Sequence, residues 1–166
     1  MRWAAQVRTG GKVLDVACGS GRHARFFAAR GHAVEAVDCD AAALATLRGA
    51  PGVTVKCVDI ELGDGGLWPY GHGRGEFDAV VVTNYLFRPL FPALRNALLP
   101  GGLLIYETFA VGNERYGRPS NPDFLLRPGE LLEVARNHLQ VRAYEDVFVE
   151  TPKPAMVQRI CAMRPG

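Results

Sequence analysis

An α/β fold built on a doubly wound, mostly parallel sheet is predicted by three features of the sequence. Strand-like apolar runs alternate with helical patterns almost from the first residues, the first run ends in a tight glycine turn, and two β-rich segments close the chain. With 166 residues the chain has room for one hydrophobic core, and a domain of that size buries roughly 70% of its unfolded surface without disulfides or a structural metal. A single domain over 1–166 is therefore expected.

Residues 13–17 form a short apolar run that leads into Cys18-Gly19-Ser20-Gly21, a buried strand entering a turn. Residues 22–30 carry Ala24, Phe27 and Ala28 at helical spacing, and Gly31 is a natural stop. Residues 33–37 form the second strand, followed by Asp38-Cys39-Asp40, where Asp40 can cap an alanine-rich helix over 41–48. The third strand, 53–58, ends at Asp59; its Thr54 and Lys56 suit a sheet edge. Residues 77–83 are almost wholly apolar and are expected at the centre of the sheet.

Pro92 opens a helix with a Leu94, Ala97 and Leu98 stripe, and Pro100-Gly101-Gly102 is read as its stop. The fifth strand is then 103–108. The polar, proline-broken segment 109–127 is too long for a simple connection and is expected to act as a substrate lid. A helix over 129–137 follows, and segments 141–149 and 156–163 are close enough across the turn 151–154 to pair antiparallel.

Composition excludes several classes. Apolar residues make up 48% and charged residues 22%, which argues against disorder, and no run of about 18 apolar residues marks a membrane span. The N-terminus lacks the apolar stretch of a signal peptide, so a cytoplasmic setting is expected. A net charge of +2 is too weak to imply nucleic acid by itself. Cys18, Cys39, Cys57 and Cys161 show no metal-site spacing; free thiols packed as small hydrophobes are expected, and no metal. Only Lys12, Lys56 and Lys153 are lysines, so the basic side chains are mostly arginine forks suited to carboxylate or phosphate.

Ligands on open α/β sheets bind beyond the carboxyl ends of the strands. That rule singles out Cys18 to Gly21, Asp38, Asp59, Asn84-Tyr85 and the residues from Thr108 onward. Glycine permits positive φ in the turn and lets a ligand approach the backbone. A carboxylate after the second strand can accept both hydroxyls of a ribose, and one after the third can reach an adenine edge. Singly each acid is as well explained by a cap or a loop; three such features at successive strand ends point to a nucleoside-bearing ligand.

Val13-Leu14-Asp15-Val16-Ala17-Cys18-Gly19-Ser20-Gly21-Arg22-His23 resembles the first motif of the class I S-adenosylmethionine-dependent methyltransferases nearly throughout. The resemblance implies a Rossmann-like, seven-stranded sheet with an antiparallel C-terminal strand, and S-adenosylmethionine as methyl donor, leaving S-adenosylhomocysteine. It also implies that Asp15, Cys18, Gly19 and Gly21 hold the methionine and ribose end, Asp38 the ribose hydroxyls, Asp59 the adenine amine, and Asn84 the methionine side. Tyr106-Glu107-Thr108-Phe109, the run from Gly112 to Pro122, and Pro128-Gly129-Glu130-Leu131 resemble a bacterial subgroup labelled tellurite-resistance-like small methyltransferases, a label that fixes no substrate. Members of the family usually carry a longer N-terminal segment over the cofactor. Here the first strand starts near residue 12, so an open site, a start further upstream, or a lid from a partner or second copy is expected.

The acceptor side is less legible. His23 and Glu107 are the candidate catalytic residues, and no strong base is evident; helix-dipole depression of the His23 pKa is expected. Glu114 is a further acid in the lid, with an arginine partner as the competing role for it and for Glu107. Arg88, Arg115 and Arg118 are candidates for an anion clamp, with surface solvation the alternative. Tyr85, Phe87, Phe109 and Tyr116 are candidates for an aromatic wall, with core packing the alternative. A small-molecule acceptor is expected. The alternatives are a nucleic-acid methyltransferase, a non-catalytic cofactor-binding subunit, and a dinucleotide-dependent oxidoreductase, which shares the glycine turn.

Overall fold

The computed structural model describes residues 2–62, 68–70 and 75–166. Its sheet has seven strands: β1 (Lys12–Val16), β2 (Ala33–Asp38), β3 (Val53–Cys57), β4 (Phe77–Thr83), β5 (Leu98–Phe109), β6 (Gln140–Val149) and β7 (Ala155–Met163). Their order is β3-β2-β1-β4-β5-β7-β6. β1 to β5 are parallel to one another, whereas β7 runs antiparallel to both β5 and β6. β3 lies at the edge and β4 in the middle, as their polar and apolar patterns predict.

Strand periodicity divides the buried residues into two layers. Val13, Ala36, Val81, Ile105 and Cys161 point to the face covered by α1 (Arg22–Ala28) and α2 (Ala41–Ala45), where Phe27 is fully buried. Leu14, Val37, Val80, Tyr106 and Ile160 point to the face covered by α3 (Phe91–Asn96) and α4 (Glu130–Ala135). Asp40 caps α2, accepting from the N–H groups of Ala42 and Ala43 at 2.9 and 3.0 Å, a contact worth about 1 kcal/mol.

One element differs from the sequence expectation. The helix opened by Pro92 ends at Asn96 with Ala97 as its C-cap, and residues 98–102 are not a helix end followed by a loop but the start of a long, bulged β5. The Ala97 carbonyl leaves the helical ladder to accept from Glu76 N and Phe77 N, and Leu98 pairs with Phe77 before the register jumps to Leu103 opposite Ala79. Pro100-Gly101-Gly102 is thus the bulge: Gly101 has φ +78° and donates to the Arg164 carbonyl. The helices 22–30, 41–48 and 129–137 are each shorter than expected by two or more residues. Among the described residues no helix is long and apolar enough to cross a membrane.

Candidate functional site

The carboxyl ends of β1, β2, β3 and β4 meet around the glycine turn. Gly21 has φ +78°, and a Cβ there would lie 2.3 Å from Leu47 Cδ1, so both conformation and packing demand glycine. At Gly19 (φ +53°) a Cβ would meet nothing within 4 Å: the backbone faces open space, available to a ligand. Ala17 (φ +51°) and Asn84 (φ +55°), at the ends of β1 and β4, also occupy the left-handed region. Non-glycine residues there cost free energy and concentrate at functional sites.

Asp38 organises this turn. One carboxylate oxygen accepts from Gly19 N at 2.8 Å and the other from Asp40 N at 2.9 Å, leaving lone pairs on both. Asp59 accepts from Glu61 N at 2.9 Å. Asn84 N donates to the Glu107 carbonyl, and the Tyr106 hydroxyl donates to the Tyr85 carbonyl at 2.7 Å, which together fix the bend after β4.

Asp15 is the anomaly. It is 1% exposed, and neither carboxylate oxygen has a hydrogen-bond partner. Burial raises its pKa to about 7, only partly offset by the nearby Ala24 N–H and the Arg22 charge. Such an orphaned carboxylate fits a ligand that brings a cation or donors, as the α-ammonium of S-adenosylmethionine does. Next to it, burial and the Asp15 and Asp38 charges push the Cys18 thiol up to about 12, so it stays protonated.

Beside the turn, on the α1 face, lies a cavity of about 860 Å³. Ile105, Glu107 and Phe109 of β5 and Val157 and Arg159 of β7 form its floor; the loops around Tyr116–Arg118 and Thr151–Pro154 form its far walls. His23, Thr83 and Asn84 also line it, and His23 lies two residues past Gly21. Thr83 Oγ1 and His23 Nδ1 are 3.0 Å apart, which leaves His23 Nε2 uncommitted. Its pKa falls to about 4, first through burial and then through Arg22, rather than through the helix dipole expected from sequence. A smaller cleft of about 230 Å³, lined by Glu61, Tyr85, Thr108 and Phe124, shares Asn84 with the main one. The Tyr85 hydroxyl is buried there without a partner, and burial together with Glu61 raises its pKa.

Several expected residues stand elsewhere. Arg88 is no anion clamp: it pairs bidentately with buried Glu130 (2.7 and 3.0 Å) and donates to the Asp123 and Leu125 carbonyls, which ties the 109–127 segment to α4. Arg115 is exposed and lies outside both cavities, whereas Arg118 lines the larger. Glu107 is held by Arg159 at 2.7 Å, and Glu114 caps its own loop through Gly112 N. Phe109 and Tyr116 reach the cavity, but Phe87 packs on the core. The thiols are free, yet Cys39 and Cys57 are exposed instead of buried, Cys39 in the loop after β2 and Cys57 at the end of edge strand β3; among the described residues no cluster could hold a metal. Sequence reasoning missed Arg22, Thr83, Lys153 and Arg159 as cavity residues. The parity of β4 was a signal for Thr83, which shares the face of Val81; nothing local signalled Lys153 or Arg159.

A family model described as a methyltransferase domain matches residues 13–102, more than half of the chain. The chain belongs to the methyltransferase-domain family. With that membership come methyl transfer and its donor, S-adenosylmethionine, whose fit is seen in the orphaned Asp15 and the open backbone at Gly19. Solved structures share the fold. TehB from Haemophilus influenzae is 18% identical with a TM-score of 0.78; the match covers 98% of this chain but only 60% of TehB. A TehB-like methyltransferase from Corynebacterium glutamicum is 20% identical over 96% of this chain and 83% of its own, with a TM-score of 0.68. A 16S rRNA adenine-N1 methyltransferase from Catenulisporales acidiphilia is also 20% identical, covering 99% and 90%, with a TM-score of 0.67. No curated protein sequence matches the chain.

Proposed function

We propose that this methyltransferase moves the methyl group of S-adenosylmethionine to a small-molecule acceptor held in the 860 Å³ cavity. What carries the reading is the position of that cavity. It is a concave space of small-ligand size lined by Asn84, Thr83 and His23, and Arg22 and His23 of its lining directly follow the glycine turn.

In this reading Asp15, Cys18, Gly19 and Gly21 hold the methionine and ribose end of the donor, Asp38 the ribose hydroxyls and Asp59 the adenine amine, with Asn84 between donor and acceptor. Bound there, the donor supplies an electrophilic methyl on a sulfonium. Tyr85 and Arg118 are the proposed acceptor contacts, one from each cleft. Neither candidate base is strong: His23 titrates near 4 and Glu107 is occupied by Arg159. The site therefore suits acceptors that are nucleophilic at neutral pH, such as thiols, amines or soft anions, and works through alignment at about 3–3.5 Å. His23 Nε2 remains to orient the acceptor. A cytoplasmic setting and a single domain over 1–166 belong to the same proposal.

The test is transfer from methyl-tritiated S-adenosylmethionine in the presence of a low-molecular-mass metabolite fraction or total cellular RNA. Label is expected in the metabolite fraction. Label confined to RNA would overturn the small-molecule reading.

A further inference from the structure

Resting on the proposed acceptor cavity, we infer that the acceptor is an amphipathic organic anion: an apolar or aromatic body that carries a carboxylate, sulfonate or similar group. Two properties of the cavity lead there. The first is an apolar wall contributed by three elements, with Phe26 of α1, Ile105 and Phe109 of β5, and Val157 of β7. The second is a surplus of positive charge. Arg2, Arg22, Arg118, Lys153 and Arg159 line the cavity against the single acid Glu107.

The surplus is not distributed evenly. Arg159, only 16% exposed, bridges Glu107 and Glu145, and Arg2 pairs with Glu145, so this group is internally neutralised. Arg22, Arg118 and Lys153 form no ion pair or side-chain hydrogen bond among the described residues. They come from α1, the 109–127 segment and the β6–β7 turn, three elements distant in sequence that surround the apolar floor. His23 adds no charge at neutral pH.

Cations without an ion-pair partner around an apolar floor repel a cationic acceptor and favour an anionic one. A bare inorganic oxyanion would need donors converging on one small spot. Here the volume and the hydrocarbon wall call for a body that displaces water, with the anion at its rim. Tyr116 stacks on Phe148 with ring centroids 4.9 Å apart, which props the Arg118 loop against β6 on the cavity's edge.

A matched probe pair tests this: 1-anilinonaphthalene-8-sulfonate and the uncharged N-phenyl-1-naphthylamine, which share their rings and differ by the sulfonate. The protein is expected to bind the sulfonate at least tenfold more tightly. The double variant Arg118→Gln, Lys153→Gln should lower that affinity about tenfold and leave the neutral probe unchanged, with an unaltered melting temperature. Arg115→Gln, outside the cavity, should change neither. Equal binding of the two probes, a loss shared by both, or an equal loss in Arg115→Gln would overturn the inference. S-adenosylhomocysteine titrated into the same samples separates the two levels. If it binds while the probes are not discriminated, the acceptor class falls alone; if it does not bind, the methyltransferase reading beneath it falls.

Discussion

Asp15→Asn is expected to stabilise the unliganded protein by up to about 4 kcal/mol at pH 8 and to weaken S-adenosylhomocysteine binding tenfold or more. Asparagine resembles the protonated acid, so it removes the cost of ionising a buried carboxylate without changing its shape. The folded pKa of about 7 stands above the ordinary 3.8. A raised pKa means that the native state binds the proton more tightly than the unfolded chain. The contribution is therefore fully present below about 4 and is lost as pH rises through 7, at roughly 1.4 kcal/mol per unit. Urea denaturation should show the gain from the substitution at pH 8 and almost none at pH 4. Binding should move the other way if, as proposed, the Asp15 carboxylate holds the methionine end of the donor, because the substitution removes its charge. A variant no more stable than the wild type at pH 8 would mean that the Asp15 carboxylate is already satisfied.

Arg88→Ala is expected to cost about 3 kcal/mol and to release the 109–127 segment. The substitution strands Glu130, whose side chain is 6% exposed, and breaking a buried pair from one side costs about 3–5 kcal/mol. The low end applies because Arg127 still faces Glu130 at 3.3 Å, from an exposed position. Burial alone would raise the Glu130 pKa, but Arg88 and the Arg127 N–H outweigh it and hold the group below its ordinary value. Its stabilisation is thus present above about 4.5 and lost as pH falls, a dependence that should flatten in the variant. Limited proteolysis should cut the segment, since the Asp123 and Leu125 carbonyls lose their donor. The double change Arg88→Met, Glu130→Leu should recover most of the stability. If Arg88→Ala melts like the wild type, the ion pair does not anchor the 109–127 segment.

Sequence periodicity showed the sheet clearly because each strand's environment is written in its own residues: Thr54 and Lys56 in β3 mark an edge, and the unbroken apolar run of β4 marks a centre. The cap at Asp40 and the turn at Gly21 are equally local. Residues 98–102 were misread for a physical reason. Proline and glycine punctuate helices and bulges alike, and only the pairing of Leu98 with Phe77 tells which is present. The acceptor side was least legible. Arg88 and Arg118 have the same side chain and similar surroundings in sequence. One is saturated by Glu130, 42 residues away, and the other faces a cavity. Likewise, Lys153 and Arg159 join Arg22 and His23 only because β7 inserts between β5 and β6.

The most direct test of the central claim, that the strand ends around Gly19 and Asp38 bind the adenosyl cofactor, is calorimetric titration of the protein with S-adenosylhomocysteine, with NADH as the control. Saturable binding of S-adenosylhomocysteine is predicted, stronger as pH rises toward 7 and releasing a proton below that pH, with no heat from NADH. Saturable binding of NADH without S-adenosylhomocysteine would contradict the account.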